Sequence, residues 1–269
     1  MRWVKATGFY LCVAVIVTAS LFPVYFTLIT SFATDQGQFE LHFWPQVTHL
    51  ANYTSVLHQP IFLTSLVNSV LVAAVVVAAS LLVAVLAAHA LGRVRFRGRG
   101  ILLVSILSVS MFPQVAVLAG MFELVRFLGL YNTVWAMVVA QTVFTLPFSV
   151  WLLTVFMRGL PVEIEEAAIL DGASPWVVVT RIFLPLLMPA LVTTGLLAFI
   201  GSWNEFLFAL TLTISADVRT VPVAMTMINP MAWQEMAAAS IIVTAPIVGL
   251  ALVFQRRIVS GLTAGSLVG

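Results

Sequence analysis

Charge is what this sequence has least of. Only 8% of its 269 residues are Asp, Glu, Lys or Arg, while 62% are hydrophobic. A soluble domain carries roughly 25% charged residues. A globule of this size with so few charges could not keep its surface wetted, so an ordinary water-soluble enzyme is excluded, and so is a disordered chain, which needs low hydrophobicity. Cysteine occurs once, at Cys12, which removes a disulfide framework and a cysteine-rich metal site. Lysine also occurs once, at Lys5. A phosphate-binding loop of the form G-x-x-x-x-G-K-[ST] is therefore absent, and with it the usual means of hydrolysing ATP. The four histidines, His42, His49, His58 and His89, show no metal-ligand spacing, and no H-E-x-x-H or G-x-S-x-G motif is present.

What the sequence does have is long apolar runs. Crossing a hydrocarbon layer of roughly 30 Å takes about 20 apolar residues in a helix. Six stretches meet that need, at about 9–32, 63–91, 101–122, 134–157, 184–212 and 237–254. The expected fold is an all-α membrane protein of six transmembrane helices in a single domain over 1–269. The first stretch follows Arg2 and Lys5 but is far longer than the core of a signal peptide, so it is read as a span.

The basic residues set the expected orientation. Arg2, Lys5, Arg93, Arg95, Arg97, Arg99, Arg158, Arg181, Arg256 and Arg257 fall on one set of sides, and only Arg126 and Arg219 on the other. The positive-inside rule puts both termini in the cytoplasm. The arginines at 93–99 lie in a short hairpin between two spans, which makes them a topology anchor rather than a nucleic-acid patch. Three segments then face outward, about 35–62, 123–133 and 213–236.

One inward segment differs from the rest of the chain. Residues 158–185 read RGLPVEIEEAAILDGASPWVVVTRIFLP. Pro161 suits a helix start, and Glu163, Glu165 and Glu166 complement the positive end of its dipole. Gly172 is placed to end that helix in the left-handed conformation. Ser174 and Pro175 are placed to cap and open a second helix leading into the fifth span. Leu160, Ile164, Ala167 and Ala168 fall on one face at helical spacing. Four acids beside an apolar stripe suit a docking element; a plain solvated linker is the simpler alternative.

These residues carry a resemblance. Glu166-Ala167-Ala168, three residues, Gly172, nine residues, then Ile182-x-Leu184-Pro185 resembles the EAA pattern of ABC importer permeases. Trp203-Asn204-Glu205-Phe206, Phe112-Pro113-Gln114, Asn68-Ser69 and the tail 261–265 resemble the carbohydrate-uptake branch, and in particular the smaller permease subunit of maltose/maltodextrin-type importers. The resemblance implies the type I importer fold in the bacterial cytoplasmic membrane. It implies a second, different permease subunit, two ABC ATPase subunits that hold ATP and Mg, and an extracytoplasmic solute-binding protein as partners, with no cofactor on this chain and no nucleic acid. It implies that Glu163, Glu166, Ala167, Ala168, Asp171, Gly172, Leu184 and Pro185 couple to an ATPase, and that Asn229, Pro230 and Met231 face the binding protein. Trp203, Asn204, Glu205 and Phe206 are candidates for the translocation pathway, with packing and a structural carboxylate as the alternative. The solute is expected to be a sugar, with a glycerol-phosphate-type or other polar solute as the alternative. A secondary transporter would carry more intramembrane ionisable groups than Glu205 alone. Pro113, Pro147, Pro185, Pro189 and Pro246 are expected to weaken or kink the spans. The glycine-bearing tail beyond Arg257 is expected to be flexible and to contact the ATPase pair.

Overall fold

The computed structural model describes the backbone of residues 2–34, 44 and 50–266, and within these the side chains from 7 to 255. The expectations for His42 and His49, and for 35–43 and 45–49 of the first outward segment, lie outside the described residues. The helices are α1 (Arg2–Ser31), α2 (Ala51–Leu57), α3 (Pro60–Gly92), α4 (Arg99–Val109), α5 (Gln114–Phe127), α6 (Val134–Gly159), α7 (Val162–Leu170), α8 (Pro175–Val177), α9 (Leu184–Leu186), α10 (Met188–Trp203), α11 (Leu207–Leu212), α12 (Val221–Met225) and α13 (Trp233–Ser266). A π-helical segment, Val178–Phe183, joins α8 to α9. The described residues contain no strand.

Among the described residues, four helices are long and apolar enough to cross a membrane unaided: the Thr7–Ser31 part of α1, α3, α6 and the Trp233–Gln255 part of α13. The count reaches six if each of two bent pairs is one span. The expected third span is not one helix. α4 and α5 meet at 92° around Ser110–Pro113. Pro113 has no N–H to give Val109 and disfavours helix at Phe112, so α4 closes with short i→i+3 bonds from Ser110, Met111 and Phe112. The expected fifth span is likewise divided. Pro175–Leu186 and α10 meet at 77°, at Leu187 between Pro185 and Pro189, and α10 stops at Asn204 before α11 resumes. Pro23, Pro147 and Pro246, by contrast, lie inside unbroken helices. α13 stays helical through Ser266, beyond the expected end of the sixth span at 254.

The chain divides into two compact units, 1–63 with 224–246, and 64–223 with 247–269. In the first, polar side chains join the end of α1, α2 and the start of α13. Ser31 and Tyr53 share a 2.6 Å hydrogen bond, and Asn52 Nδ2 donates to the carbonyls of Ser31 and Ala33 at 2.9 Å each. Ser55 donates to Glu235 Oε1 at 2.7 Å. Most of α1 exposes apolar side chains such as Phe9, Leu11, Ile16 and Leu21, a surface that suits lipid and not water.

In the second unit α3 and α6 lie side by side in parallel. Val72 and Val76 share one buried cluster with Met137 and Val138, while Ala88 and Leu91 share another with Leu153 and Met157, a nearly constant offset along both helices. The two C-termini therefore emerge together. They approach closely there: a Cβ on Gly92 would lie 2.9 Å from Met157 Cγ. The core beneath this junction contains Leu153, Met157, Val178, Phe183 and Leu187.

Candidate functional site

The segment after α6 folds as its residues dictate. α7 carries Glu163 and Glu165 in its first turn. It ends in a Schellman turn: Gly172 N–H donates to the Ile169 carbonyl and Ala173 N–H to the Ala168 carbonyl, each at 3.0 Å. Gly172 has φ +80°, the left-handed region that a side chain resists. Ser174 then accepts from Val177 N–H at 3.4 Å, with Pro175 in the first turn of the next helix. The π segment that follows carries the chain to the bend at Leu187; such windings are often found at functional positions.

Exposure sorts the residues of α7. Ala168 is buried and Leu160 and Ile164 are half-buried, so the inner face is the expected stripe without Ala167, which is exposed. Glu163, Glu166, Ala167, Asp171 and Gly172 all lie on the exposed side. So do Val162, Ile169 and Leu170, the last 87% exposed. The result is an outward surface of mixed acidic and apolar side chains. Leu184 is half-buried and Pro185 exposed, at the bend into α10. Glu165 turns inward, to 3.8 Å from Arg93 Nε.

Trp203, Asn204, Glu205 and Phe206 fall at the break between α10 and α11, and the structure separates them. Trp203 is 1% exposed and stacks on Phe199 with ring centroids 5.4 Å apart, so it has no open face for a sugar. Glu205 is buried, and its carboxylate oxygens accept from Phe208 N–H at 2.8 Å and Ala209 N–H at 3.1 Å. It thus satisfies the orphan donors that open α11. Ser202 beside it bonds Gln141 of α6. Asn204 donates back to the Ile200 carbonyl, and only Asn204 and Phe206 of the four are exposed. For Trp203 and Glu205 the local geometry is that of packing and capping.

A cavity of about 660 Å³ is lined by α3, α10 and neighbouring segments, including Val77, Leu81, Val179, Leu191 and Phe199. Among the lining side chains only Thr180 and Trp176 carry a polar atom, too little to orient a polyhydroxylated solute.

Asn229, Pro230 and Met231 form an exposed turn before α13, with Met231 N–H donating to Asn229 Oδ1 at 3.0 Å. Asn68-Ser69 serves as a clamp: Asn68 Nδ2 donates to the carbonyls of Asp217 at 2.8 Å and Arg219 at 3.0 Å, and Ser69 Oγ accepts from Val221 N–H at 2.8 Å.

Two residues with structural tasks escaped the sequence reading. Asn132, at φ +58°, accepts through Oδ1 from Ile214 and Ser215 N–H and joins the 128–133 turn to the chain after α11. An asparagine in a short turn was the available signal, since asparagine tolerates the left-handed region. Arg93 is more than the topology anchor its hairpin implies; its place directly after the helix-ending Gly92 is the signal of a possible C-terminal cap.

The family model described as "Binding-protein-dependent transport system inner membrane component" matches residues 80–263. The chain belongs to this family. It is a membrane transport component and not a catalytic family. The trehalose/maltose transport system permease protein MalG of Thermococcus litoralis is 40% identical over 255 residues, covering 93% of this chain and 92% of that protein. The sulfoquinovosyl glycerol transport system permease protein SmoH of Agrobacterium fabrum is 35% identical over 266 residues, covering 97% and 93%. In fold, the chain is similar to one in the crystal structure of a bacterial ABC transporter involved in import of the acidic polysaccharide alginate, with a TM-score of 0.83, 22% identity, and 95% and 98% of the two chains covered.

Proposed function

We propose that this chain is one of two different permease subunits of an ATP-driven importer that carries a sugar or sugar glycoside into the cell. α7 docks on one of two separate ATPase subunits, which hold ATP and Mg. Their closure drives the permease pair between inward-open and outward-open states, a two-state equilibrium biased by nucleotide and by a loaded solute-binding protein. The observation that carries this reading is the α7 surface: exposed Glu163, Glu166, Asp171, Ile169 and Leu170 on a helix held by the Gly172 turn, within the EAA-like pattern of a member of this permease family. Dependence on a binding protein is in keeping with the family description, and the exposed turn at Asn229–Met231 is its suggested contact. The ten-to-two division of basic residues supports an orientation with both termini cytoplasmic, six passes, and residence in the cytoplasmic membrane. A sugar-type solute is supported by the trehalose/maltose and sulfoquinovosyl glycerol relatives.

The test is copurification of the ATPase subunits with the permease, together with ATP hydrolysis stimulated by the binding protein loaded in turn with trehalose, maltose, sulfoquinovosyl glycerol and glycerol phosphate. Glu166→Ala is expected to reduce ATPase retention while leaving membrane insertion intact. Normal retention and normal uptake in that variant would make α7 a mere connector. Stimulation by glycerol phosphate alone would transfer the assignment to the other solute class.

A further inference from the structure

The hairpin arginines are not equivalent. Arg95 and Arg97 are exposed, as a topology anchor requires. The Arg93 side chain is only 7% exposed. Burying a guanidinium is costly unless it is paired and hydrogen-bonded, and an anchor has no need of it.

The contacts of Arg93 reach three other segments. One guanidinium nitrogen, Nη2, donates to the Leu160 carbonyl at 2.8 Å, at the exit of α6. Nε faces Glu165 of α7 at 3.8 Å, a distance for charge pairing and too long for a hydrogen bond. The guanidinium carbon lies 4.9 Å above the ring centroid of Phe183, at the end of the π segment. Phe183 is fully buried, and His89 of α3 packs on it at 5.8 Å. The arrangement is reciprocated: Arg158, in the last turn of α6, donates to the Leu91 carbonyl of α3 at 3.0 Å. Two parallel helices thus end side by side, each with unpaired carbonyls and a negative dipole end, and each receives a guanidinium from the other. The crossing point is where Gly92 admits Met157. α7 begins two residues beyond Leu160, so a clamp on the Leu160 carbonyl and on Glu165 fixes both the origin and the direction of α7.

We propose that Arg93 is a positioning residue for the coupling helix: it locks α7 to the joined ends of α3 and α6, so that displacement of α7 moves both helices as one body. The coupling role of α7 rests on the functional reading above; the lock itself does not. Arg158 closes the α3–α6 junction from the other side, and a lysine at 93 could keep the charge and one hydrogen bond but not the planar guanidinium that lies over Phe183 while reaching both Leu160 and Glu165.

The distance measurement uses the purified assembly in nanodiscs in a Cys12→Ser background, with spin labels at Ile169→Cys on α7 and Ile101→Cys on α4, both exposed; copurification and ATP hydrolysis are read on the same variants without the two label sites, because Ile169 lies on the docking surface. The parent is expected to give one narrow distance distribution, with and without a non-hydrolysable ATP analogue and Mg. Arg93→Gln and Glu165→Gln are expected to broaden it, and Arg93→Lys to restore it in part. The yield of folded permease stays within about twofold of the parent, and binding-protein-stimulated ATP hydrolysis falls by roughly fivefold or more relative to the basal rate. An unchanged narrow distribution in Arg93→Gln overturns the proposal. So does loss of folded permease in both Glu165→Gln and Arg93→Lys, which would assign the arginine to folding alone. If ATPase subunits do not copurify with the parent, the coupling reading fails, while the distance measurement on the permease still decides the lock.

Discussion

Replacing Gly172 by alanine isolates a single physical term. A Cβ at Gly172 would meet nothing within 4 Å, so no packing penalty enters. What remains is the backbone: φ +80° is left-handed, and a Cβ there costs roughly 1–2 kcal/mol. The Schellman bonds from Gly172 and Ala173 to the Ile169 and Ala168 carbonyls depend on that conformation and share the cost. An energy of that size is a factor of about 5–30 in a local opening equilibrium. Amide hydrogen exchange on the nanodisc-embedded permease reads it directly, because the Gly172-position and Ala173 amides report the turn. Gly172→Ala is expected to speed their exchange by about 5–30-fold. Gly172→Asn should recover part of the loss, since asparagine tolerates the left-handed region. Amides in the middle of α6 should not change. Equal exchange in the alanine variant and the parent, or asparagine no better than alanine, would refute the argument from backbone conformation.

Gly92→Val should destabilise the α3–α6 junction by about 1–3 kcal/mol, because even a Cβ would crowd Met157 at 2.9 Å; thermal unfolding of the purified permease measures this. Glu205→Ala should cost more stability than Glu205→Gln, which keeps an oxygen for the Phe208 or Ala209 N–H, and equal melting temperatures would remove the capping role. Asn68→Ala should release the chain around 217–219 and raise its proteolytic sensitivity, while Asn68→Asp, which keeps size but loses the donating amide, should behave similarly. Reporter fusions at Gly98 and Asn229 should give opposite sidedness, Gly98 inside and Asn229 outside; the same side for both would overturn the orientation.

Composition and periodicity determined the class of this protein: with charge so sparse and apolar runs so long and unbroken, helices, and not the short alternating strands of a barrel, satisfy the backbone groups in a membrane. The sequence also determined the α7 turn, because Gly172, Ser174 and Pro175 act through their own backbone geometry, which needs no distant partner. The breaks were legible only in part. Of the prolines in or near the apolar runs, Pro113, Pro185 and Pro189 sit at bends while Pro23, Pro147 and Pro246 do not. Each removes one hydrogen bond in its helix, and whether the helix then yields depends on the packing around it, which the sequence does not display. The same holds for the charged groups. Glu205 admitted a pathway and a structural reading alike, and Trp203 fitted packing better than sugar stacking, until tertiary structure placed Phe208 and Ala209 N–H groups before the one and Phe199 against the other. Arg93 is one of four arginines at alternate positions in a hairpin, alike in sequence. Only the parallel meeting of α3 and α6, more than sixty residues apart along the chain, brings the Leu160 carbonyl and Glu165 to that one and leaves Arg95 and Arg97 in solvent.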